Sequence, residues 1–190
     1  MKRIVLTFGL ISGAILSAML LITIPFQDTI GFERGEIIGY TSMVLAFLLI
    51  FFGVRSYRDN VAGGSVRFGR AFAVGASIAL VSAVCYVATW QLVYYRLAPD
   101  FMAKYQAHVI DKARASGLDE EAISRKREDI EKFVELYRNP AINAAITFVE
   151  PLPVALIVAL VSAGILSRRR KLLPADAGTS SPSPKLPGTG

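Results

Sequence analysis

The sequence predicts an all-α membrane protein, with four transmembrane helices and an extracytoplasmic pair of amphipathic helices between spans three and four. Three observations predict this class. Hydrophobic residues make up 53% of the chain, and the mean hydropathy is +0.47. Charged residues make up only 19%, below the roughly one quarter that is usual in soluble domains. The charges are also gathered into a few clusters, which leaves four long apolar segments between them.

The four apolar segments are each long enough to cross a bilayer, whose hydrocarbon core requires roughly 20 mostly apolar residues. They cover about residues 4–24, 37–54, 71–95 and 141–166. Each is expected to be helical, because lipid offers no hydrogen-bond partner to an open backbone. The pattern predicts a four-span membrane domain over residues 1–171. Residues 172–190 are rich in Pro, Gly and Ser and are expected to form a disordered cytoplasmic tail.

The first span has an alternative interpretation as a cleavable signal peptide, because Lys2 and Arg3 precede it. Its apolar region of about 20 residues exceeds the roughly 7–15 residues of a signal peptide, and no A-x-A-like site follows it. We therefore expect a helix that is retained.

The distribution of Lys and Arg predicts the orientation, because these residues accumulate in cytoplasmic loops. The N-terminus, the loop between spans two and three and the C-terminal side together hold 11 Lys and Arg against two Asp. The loop between spans one and two holds Arg34 against Asp28, Glu33 and Glu36. Both termini are therefore expected on the cytoplasmic side. The net charge of +6 is then a topology signal, and we expect no nucleic-acid partner.

Small residues at four-residue spacing occur in spans one and three, where they let helix backbones approach closely in lipid. They are Gly9, Gly13 and Ser17 in span one, and Gly75 and Ala79 in span three. We expect them to pack helices within one bundle, with homodimer formation as the alternative.

Acidic and basic residues crowd the outer segment, about residues 97–138, which therefore cannot cross a membrane. Two apolar stripes at helical spacing run through it. The first comprises Phe101, Tyr105 and Val109, and the second comprises Ile123, Ile130, Phe133, Val134 and Tyr137. Gly117 separates the stripes, and Asp119 is a suitable N-cap for the second helix. The two helices are expected either to lie on the outer leaflet or to fold over the bundle.

Aromatic residues close the outer end of span three. We expect Trp90, Tyr94 and Tyr95 to lie at the level of the lipid headgroups, where amphipathic rings are enriched. Gln91 lies one turn before Tyr95 and is expected to hydrogen-bond to a neighbouring helix.

One carboxylate, Glu150, lies beside Pro151 and Pro153 inside the fourth apolar segment. At 1.5 Å per residue it lies about 25 Å from the cytoplasmic side, in the outer third of the hydrocarbon core. The prolines remove two helical hydrogen bonds, so a kink is expected. Glu150 then needs a hydrogen-bond donor. The candidates near the outer end of span three are Gln91, Tyr94, Tyr95 and Arg96.

Three interpretations of this polar site stay open. In the first, Glu150 and the two prolines fix the outer end of span four. In the second, Glu150 is an ion or proton site of a small transporter component, since ionisable groups within membranes often mark transport pathways. In the third, the outer helices engage lipid or an envelope protein.

Residue types that form catalytic or metal sites are scarce. A single cysteine, Cys85, excludes an intramolecular disulfide, and a single histidine, His108, excludes two-histidine zinc motifs. The sequence contains no phosphate-binding loop of the Walker type, no GxSxG elbow and no HExxH. We expect no enzymatic activity, no catalytic residue, no cofactor and no bound metal.

Two stretches carry a resemblance to a known family. Residues 39–72 read "GYTSMVLAFLLIFFGVRSYRDNVAGGSVRFGRAF", and residues 136–166 read "LYRNPAINAAITFVEPLPVALIVALVSAGIL". Their order, spacing and wording resemble the bacterial membrane family known as domain of unknown function 4199, over roughly residues 4–170. The resemblance implies a multi-pass protein of the bacterial inner membrane with no assigned activity. Beside the lipid bilayer, a second copy of the chain or an envelope protein is the expected partner.

Overall fold

The computed structural model describes residues 1–167, and the tail predicted at residues 172–190 lies outside the described residues. The described residues form eight α-helices: α1 (Lys2–Thr23), α2 (Gln27–Ile30), α3 (Phe32–Asn60), α4 (Phe68–Leu92), α5 (Phe101–Ala115), α6 (Glu120–Tyr137), α7 (Pro140–Val149) and α8 (Leu152–Leu166). A 3₁₀ turn (Ile24–Phe26) joins α1 to α2, and a π-helical turn (Val93–Leu97) continues α4. No strand occurs between residues 1 and 167, so the predicted all-α class is confirmed.

Four helical stretches are long and apolar enough to cross a membrane: Lys2–Ile30, Phe32–Asn60, Phe68–Leu97 and Pro140–Leu166. They contain the four predicted spans, and each extends beyond its predicted bounds. Span one was expected to end before Pro25, but Pro25 lies inside the 3₁₀ turn and the helix continues. Pro25 is the second residue of this turn, and proline is tolerated in the first turn of a helix because the N–H groups there have no intrahelical partner in any case.

The spans form an antiparallel four-helix bundle. α1 and α8 each pack against both α3 and α4, and α3 also contacts α4 across the bundle. α7 packs against α4 and α6. The bundle therefore has one end formed by α8 with its neighbours and a second end formed by α7.

The end of the bundle around α8 is closely packed, and we call it the closed half. Its core side chains have 0% exposure: Phe47, Ile50, Val54, Val74, Ile78, Ala155, Ala159 and Ala163. Three of these come from one face of α8 at four-residue spacing and are alanines, which brings the α8 backbone close to α3 and α4.

The small residues of α1 and α4 lie at contacts between helices of the same chain. A Cβ atom added at Gly13 would lie 2.6 Å from the Cβ of Cys85, and one added at Gly9 would lie 2.7 Å from the Cβ of Val81. The hydroxyl of Thr89 donates to the Oγ of Ser17 at 2.7 Å. The same side of α1 thus approaches α4 along its length.

The α4 glycine lies at a second close contact. A Cβ atom added at Gly75 would lie 3.1 Å from both the Cβ of Ala159 and the Cγ2 of Ile50. Ala79, one turn further along, is 1% exposed. α4 therefore touches α1, α3 and α8 and forms the centre of the bundle.

Helices α5 and α6 pair with each other, and we call them the cap. Four buried side chains join them: Ile110, Ala113, Ile123 and Ile130. Gly117 turns the chain between them with a φ of 74°, a conformation that glycine adopts without strain. The carboxylate of Asp119 accepts from the N–H of Ala122 at 2.8 Å, which confirms the predicted N-cap of α6.

The cap folds over one end of the bundle. A second cluster buries Met102 and Tyr137 of the cap against Trp90, Val93 and Tyr94. Ion pairs at the margin join Lys104 to Asp28 at 2.7 Å and Lys112 to Glu33 at 2.8 Å. Of the two arrangements that the sequence leaves open, the structure has the folded one.

The aromatic residues at the end of span three differ in their exposure. Trp90 and Tyr94 are 8% and 9% exposed, because the cap covers the face of α4 that carries them. Tyr95 is 40% exposed.

Candidate functional site

Span four is interrupted near its middle. The carboxamide oxygen of Asn139 accepts from the N–H of Ala141 at 2.9 Å and so caps the start of α7. α7 ends at Val149 and α8 begins at Leu152, with Glu150 and Pro151 between them. Pro151 and Pro153 have no N–H, so the carbonyls of Thr147 and Val149 lose their usual helical donors. The interruption lies where the sequence predicts it.

The donor that reaches Glu150 is Tyr86. Its hydroxyl donates to the Oε2 of Glu150 over a long distance of 3.4 Å. Tyr86 is buried in the wall of the bundle, whereas Glu150 is exposed. Tyr86 is not among the donors predicted from the sequence, because the predicted donors all lie at the outer end of span three. Counting residues from the shared end of the two spans would have found it: Tyr86 and Glu150 each lie about ten residues from that end, or about 15 Å deep.

The donors that were expected for Glu150 have other positions and partners. The amide of Gln91 donates to the side-chain oxygen of Asn143 at 2.9 Å, as expected for a bond to a neighbouring helix. The hydroxyl of Tyr95 donates to the carbonyl of Arg138 at 3.2 Å. Tyr94 packs edge-on against the ring of Tyr137. Arg96 is exposed in the π-helical turn. The predicted polar site is therefore not one cluster.

A buried chain of three polar side chains ties the cap to the bundle. The indole N–H of Trp90 donates to the hydroxyl of Tyr137 at 2.8 Å. The same hydroxyl lies 3.2 Å from the Oγ1 of Thr147. Burial raises the pKa of the Tyr137 phenol, so the group stays protonated and able to donate. Spans three and four and helix α6 thus meet at a single phenol oxygen.

Asn143 is a further buried polar group of span four, with 0% exposure. Besides accepting from Gln91, its amide lies 3.5 Å from the carbonyl of Tyr137. Among the buried side chains of residues 1–167, no nitrogen or oxygen atom is left without a hydrogen-bond partner. The buried polar side chains at this end of the bundle therefore all have partners, as a low-dielectric interior requires.

A cavity of about 530 Å³ lies between the cap and the bundle. Its aromatic lining residues are Phe32, Tyr40, Tyr86, Trp90, Phe101, Tyr105, Phe133 and Tyr137. Its ionisable lining residues other than tyrosines are Glu36, His108, Lys112 and Glu150. Ring stacking fixes His108 against Phe32, with centroids 4.9 Å apart. Glu150 and Tyr86 therefore belong to the wall of a cavity, which the sequence alone does not reveal.

The cavity is open on one side. Among the described helices, α7 packs against α4, α6 and α8 but has no comparable packing against α3. Four of the residues that line the cavity are exposed: Glu36 and Tyr40 of α3, Ile146 of α7, and Glu150, which follows α7. The gap faces the side of the bundle and lies between two helices that belong to apolar spans.

Comparison with known families gives a match that covers most of the chain. The family described as Protein of unknown function (DUF4199) matches residues 7–168. No curated protein and no solved structure matches the chain.

Proposed function

Because the chain belongs to the DUF4199 family of unknown function, as its match over residues 7–168 shows, we propose a role that rests on its own geometry. Its four apolar helices are those of a multi-pass integral membrane protein. The proposed role is that of a non-enzymatic interaction protein of the bacterial inner membrane. Both termini lie in the cytoplasm in this proposal, and the cap presents a fixed surface outside to an envelope protein or a second copy.

The observation that carries the proposal is the contact of Trp90, Tyr137 and Thr147. Tyr137 belongs to the cap, whereas Trp90 and Thr147 belong to spans three and four. A surface held in this way loses little conformational entropy when a partner binds, which favours affinity. A free amphipathic helix on a lipid surface needs no such buried link.

The outer face of the cap supports the same role. α6 carries exposed ion pairs one turn apart, Glu121 with Arg125 and Glu128 with Lys132. Such pairs contribute little to stability, because both partners are solvated. A mixed charged surface of this kind suits a polar interface in which charge complementarity selects the partner.

Glu150 has a structural part in the proposal. Its hydrogen bond from Tyr86 joins the interrupted part of span four to span three. In this proposal, the bond acts with Pro151 and Pro153 to set the direction of α7 relative to α8, and α7 in turn contacts α6.

The orientation is tested by a reporter fused after Glu120, at the start of α6. A reporter that is active only outside the cytoplasm should be active at this position and inactive when fused near the N-terminus. Activity of a cytoplasmic reporter after Glu120 would overturn the topology and with it the proposed outer surface.

The interaction role is tested by a photo-crosslinking amino acid at Lys126, which is exposed on α6. The matched position is Leu160, which is 47% exposed on α8 within an apolar span. We expect a discrete protein adduct from position 126 and lipid adducts from position 160. Lipid adducts from both positions would contradict an interaction surface on the cap.

Transport is the second candidate, and the cavity that reaches Glu150 is the observation that favours it. In sealed vesicles, the chain should then carry a proton or cation flux that Glu150→Gln abolishes. Equal flux in the two proteins would exclude Glu150 as the transport site.

A further inference from the structure

The cavity under the cap has the features of a binding site, and we propose that it binds an organic cation with an apolar body. The carboxylate of Glu150 is the counter-ion, the aromatic walls hold the body, and the ligand enters between α3 and α7. The proposal does not depend on the interaction role of the cap or on transport, since equilibrium binding requires neither.

The charges of the lining favour a cation. Two carboxylates, Glu36 and Glu150, line the cavity. The lining residue of opposite formal charge, Lys112, is already paired with Glu33 at 2.8 Å. The hydrogen bond that Glu150 accepts from Tyr86 is long, at 3.4 Å, and a carboxylate has room for several further donors. A carboxylate at this depth attracts a cation strongly, because the surrounding dielectric is low.

The walls suit the apolar body of such a ligand. Tyr40, Tyr86 and Trp90 line the cavity together with Glu150. The faces of aromatic rings attract cations, and the attraction grows when the cation is desolvated. An anion would meet both ring faces and carboxylates, so the site should discriminate by the sign of the charge.

The size and the opening are consistent with a small molecule. The volume of about 530 Å³ lies within the roughly 300–1,000 Å³ that is usual for ligand pockets. The gap between α3 and α7 opens at the side, among exposed residues of two apolar spans. An apolar cation that has partitioned into the bilayer therefore has a direct route to Glu150.

The fluorescence of Trp90 can report binding, because Trp90 is the single tryptophan of the chain and lines the cavity. The test uses the full chain in a non-ionic detergent, with tetraphenylphosphonium and tetraphenylborate as probes. These two ions have nearly the same shape and apolar surface but opposite charge. We expect saturable quenching of Trp90 fluorescence by tetraphenylphosphonium and only a linear, non-saturable change with tetraphenylborate.

Variants connect the binding to the proposed counter-ion. Glu150→Gln should weaken tetraphenylphosphonium binding by about tenfold or more, because a desolvated charge pair is lost. Glu131→Gln makes the same chemical change at an exposed position of α6 outside the cavity lining, and should leave the affinity unchanged. Circular dichroism and gel filtration show whether Glu150→Gln folds. If it does not, the binding of the two probes to the unmodified chain still tests the proposal.

Competition identifies the source of the natural ligand. Dodecylammonium and an amine-headed phospholipid are titrated against bound tetraphenylphosphonium, and displacement by either supports the site and shows which class it prefers. Displacement by neither would overturn the proposal, as would saturable binding of both probes with equal affinity. No saturable binding of tetraphenylphosphonium, or unchanged affinity in a folded Glu150→Gln variant, would overturn it as well.

Discussion

The two ends of this bundle are built in different ways. The closed half, around α8, is held by apolar shape: Phe47 and Ile50 meet Ala155 and Ala159 with 0% exposure. The capped half, which we define as α7, the neighbouring ends of α1, α3 and α4, and the cap, combines apolar clusters with buried polar contacts around a cavity. The two halves differ in span four, because its α8 segment packs against α3 whereas its α7 segment has no comparable packing against α3.

One chain thus combines a closely packed half with a half that contains a cavity. Lipid gives no hydrophobic driving force between helices, so close contact of small residues holds the closed half. Hydrogen bonds carry direction and can hold helices apart, which permits a cavity without unpartnered polar atoms. Changes of volume should therefore damage the closed half most, and changes of hydrogen bonding should damage the capped half.

The largest effect is expected from Gly75→Leu in the closed half. A Cβ atom at this position already lies 3.1 Å from Ala159 and Ile50, so a leucine must push α4 away from α3 and α8. We expect a loss of about 3 kcal/mol in unfolding free energy, measured by denaturation in detergent. Gly164→Leu is the control, since nothing lies within 4 Å of its added Cβ. Equal stability of the two variants would contradict close packing in the closed half.

Tyr137→Phe should give the next largest effect, in the capped half. It removes the oxygen that accepts from Trp90 and contacts Thr147, and it leaves a buried indole N–H without a partner. We expect a loss of about 2 kcal/mol and a change in Trp90 fluorescence. Tyr95→Phe removes the hydroxyl of an exposed tyrosine and should change the unfolding free energy by less than about 0.5 kcal/mol. Equal stability of the two tyrosine variants would contradict the claim that buried hydrogen bonds stabilise the capped half.

Glu150→Leu should cost about 1 kcal/mol, because the hydroxyl of Tyr86 loses its acceptor, whereas Glu150→Gln keeps an acceptor and should cost less. The Tyr86→Phe background separates this bond from other effects. In that background, Glu150→Leu and Glu150→Gln should have similar stability. If Glu150→Leu is more stable than Glu150→Gln in the unmodified background, the bond does not stabilise span four.

Lys104→Ala should have the smallest effect, at the exposed margin of the cap. Hydrogen bonds from Lys104 to Asp100 and Asp28 raise the pKa of its ammonium group. A raised pKa means that the contribution is present below the pKa of the unfolded chain and is lost as the pH rises through the pKa of the folded chain. We expect a small decrease in the melting temperature that vanishes in 1 M salt. A decrease that persists in high salt would point to a packing contribution instead.

Much of the fold was predictable from the sequence because it depends on local composition. Apolar length determines the four spans, and the capping groups Asp119 and Asn139 mark the starts of α6 and α7. The interruption at Glu150 follows from the missing N–H groups of two prolines, which act wherever the chain is placed.

The partners of the polar side chains depended on tertiary structure. The donor to Glu150 is Tyr86 rather than a residue at the tip of span three, and Trp90 is buried under the cap. Such pairings depend on how each helix is rotated and how far it is shifted along its neighbour, which the contacts at Gly13 and Gly75 set. The cavity arises in the same way, because the gap between α3 and α7 is a property of packed helices and of no single segment.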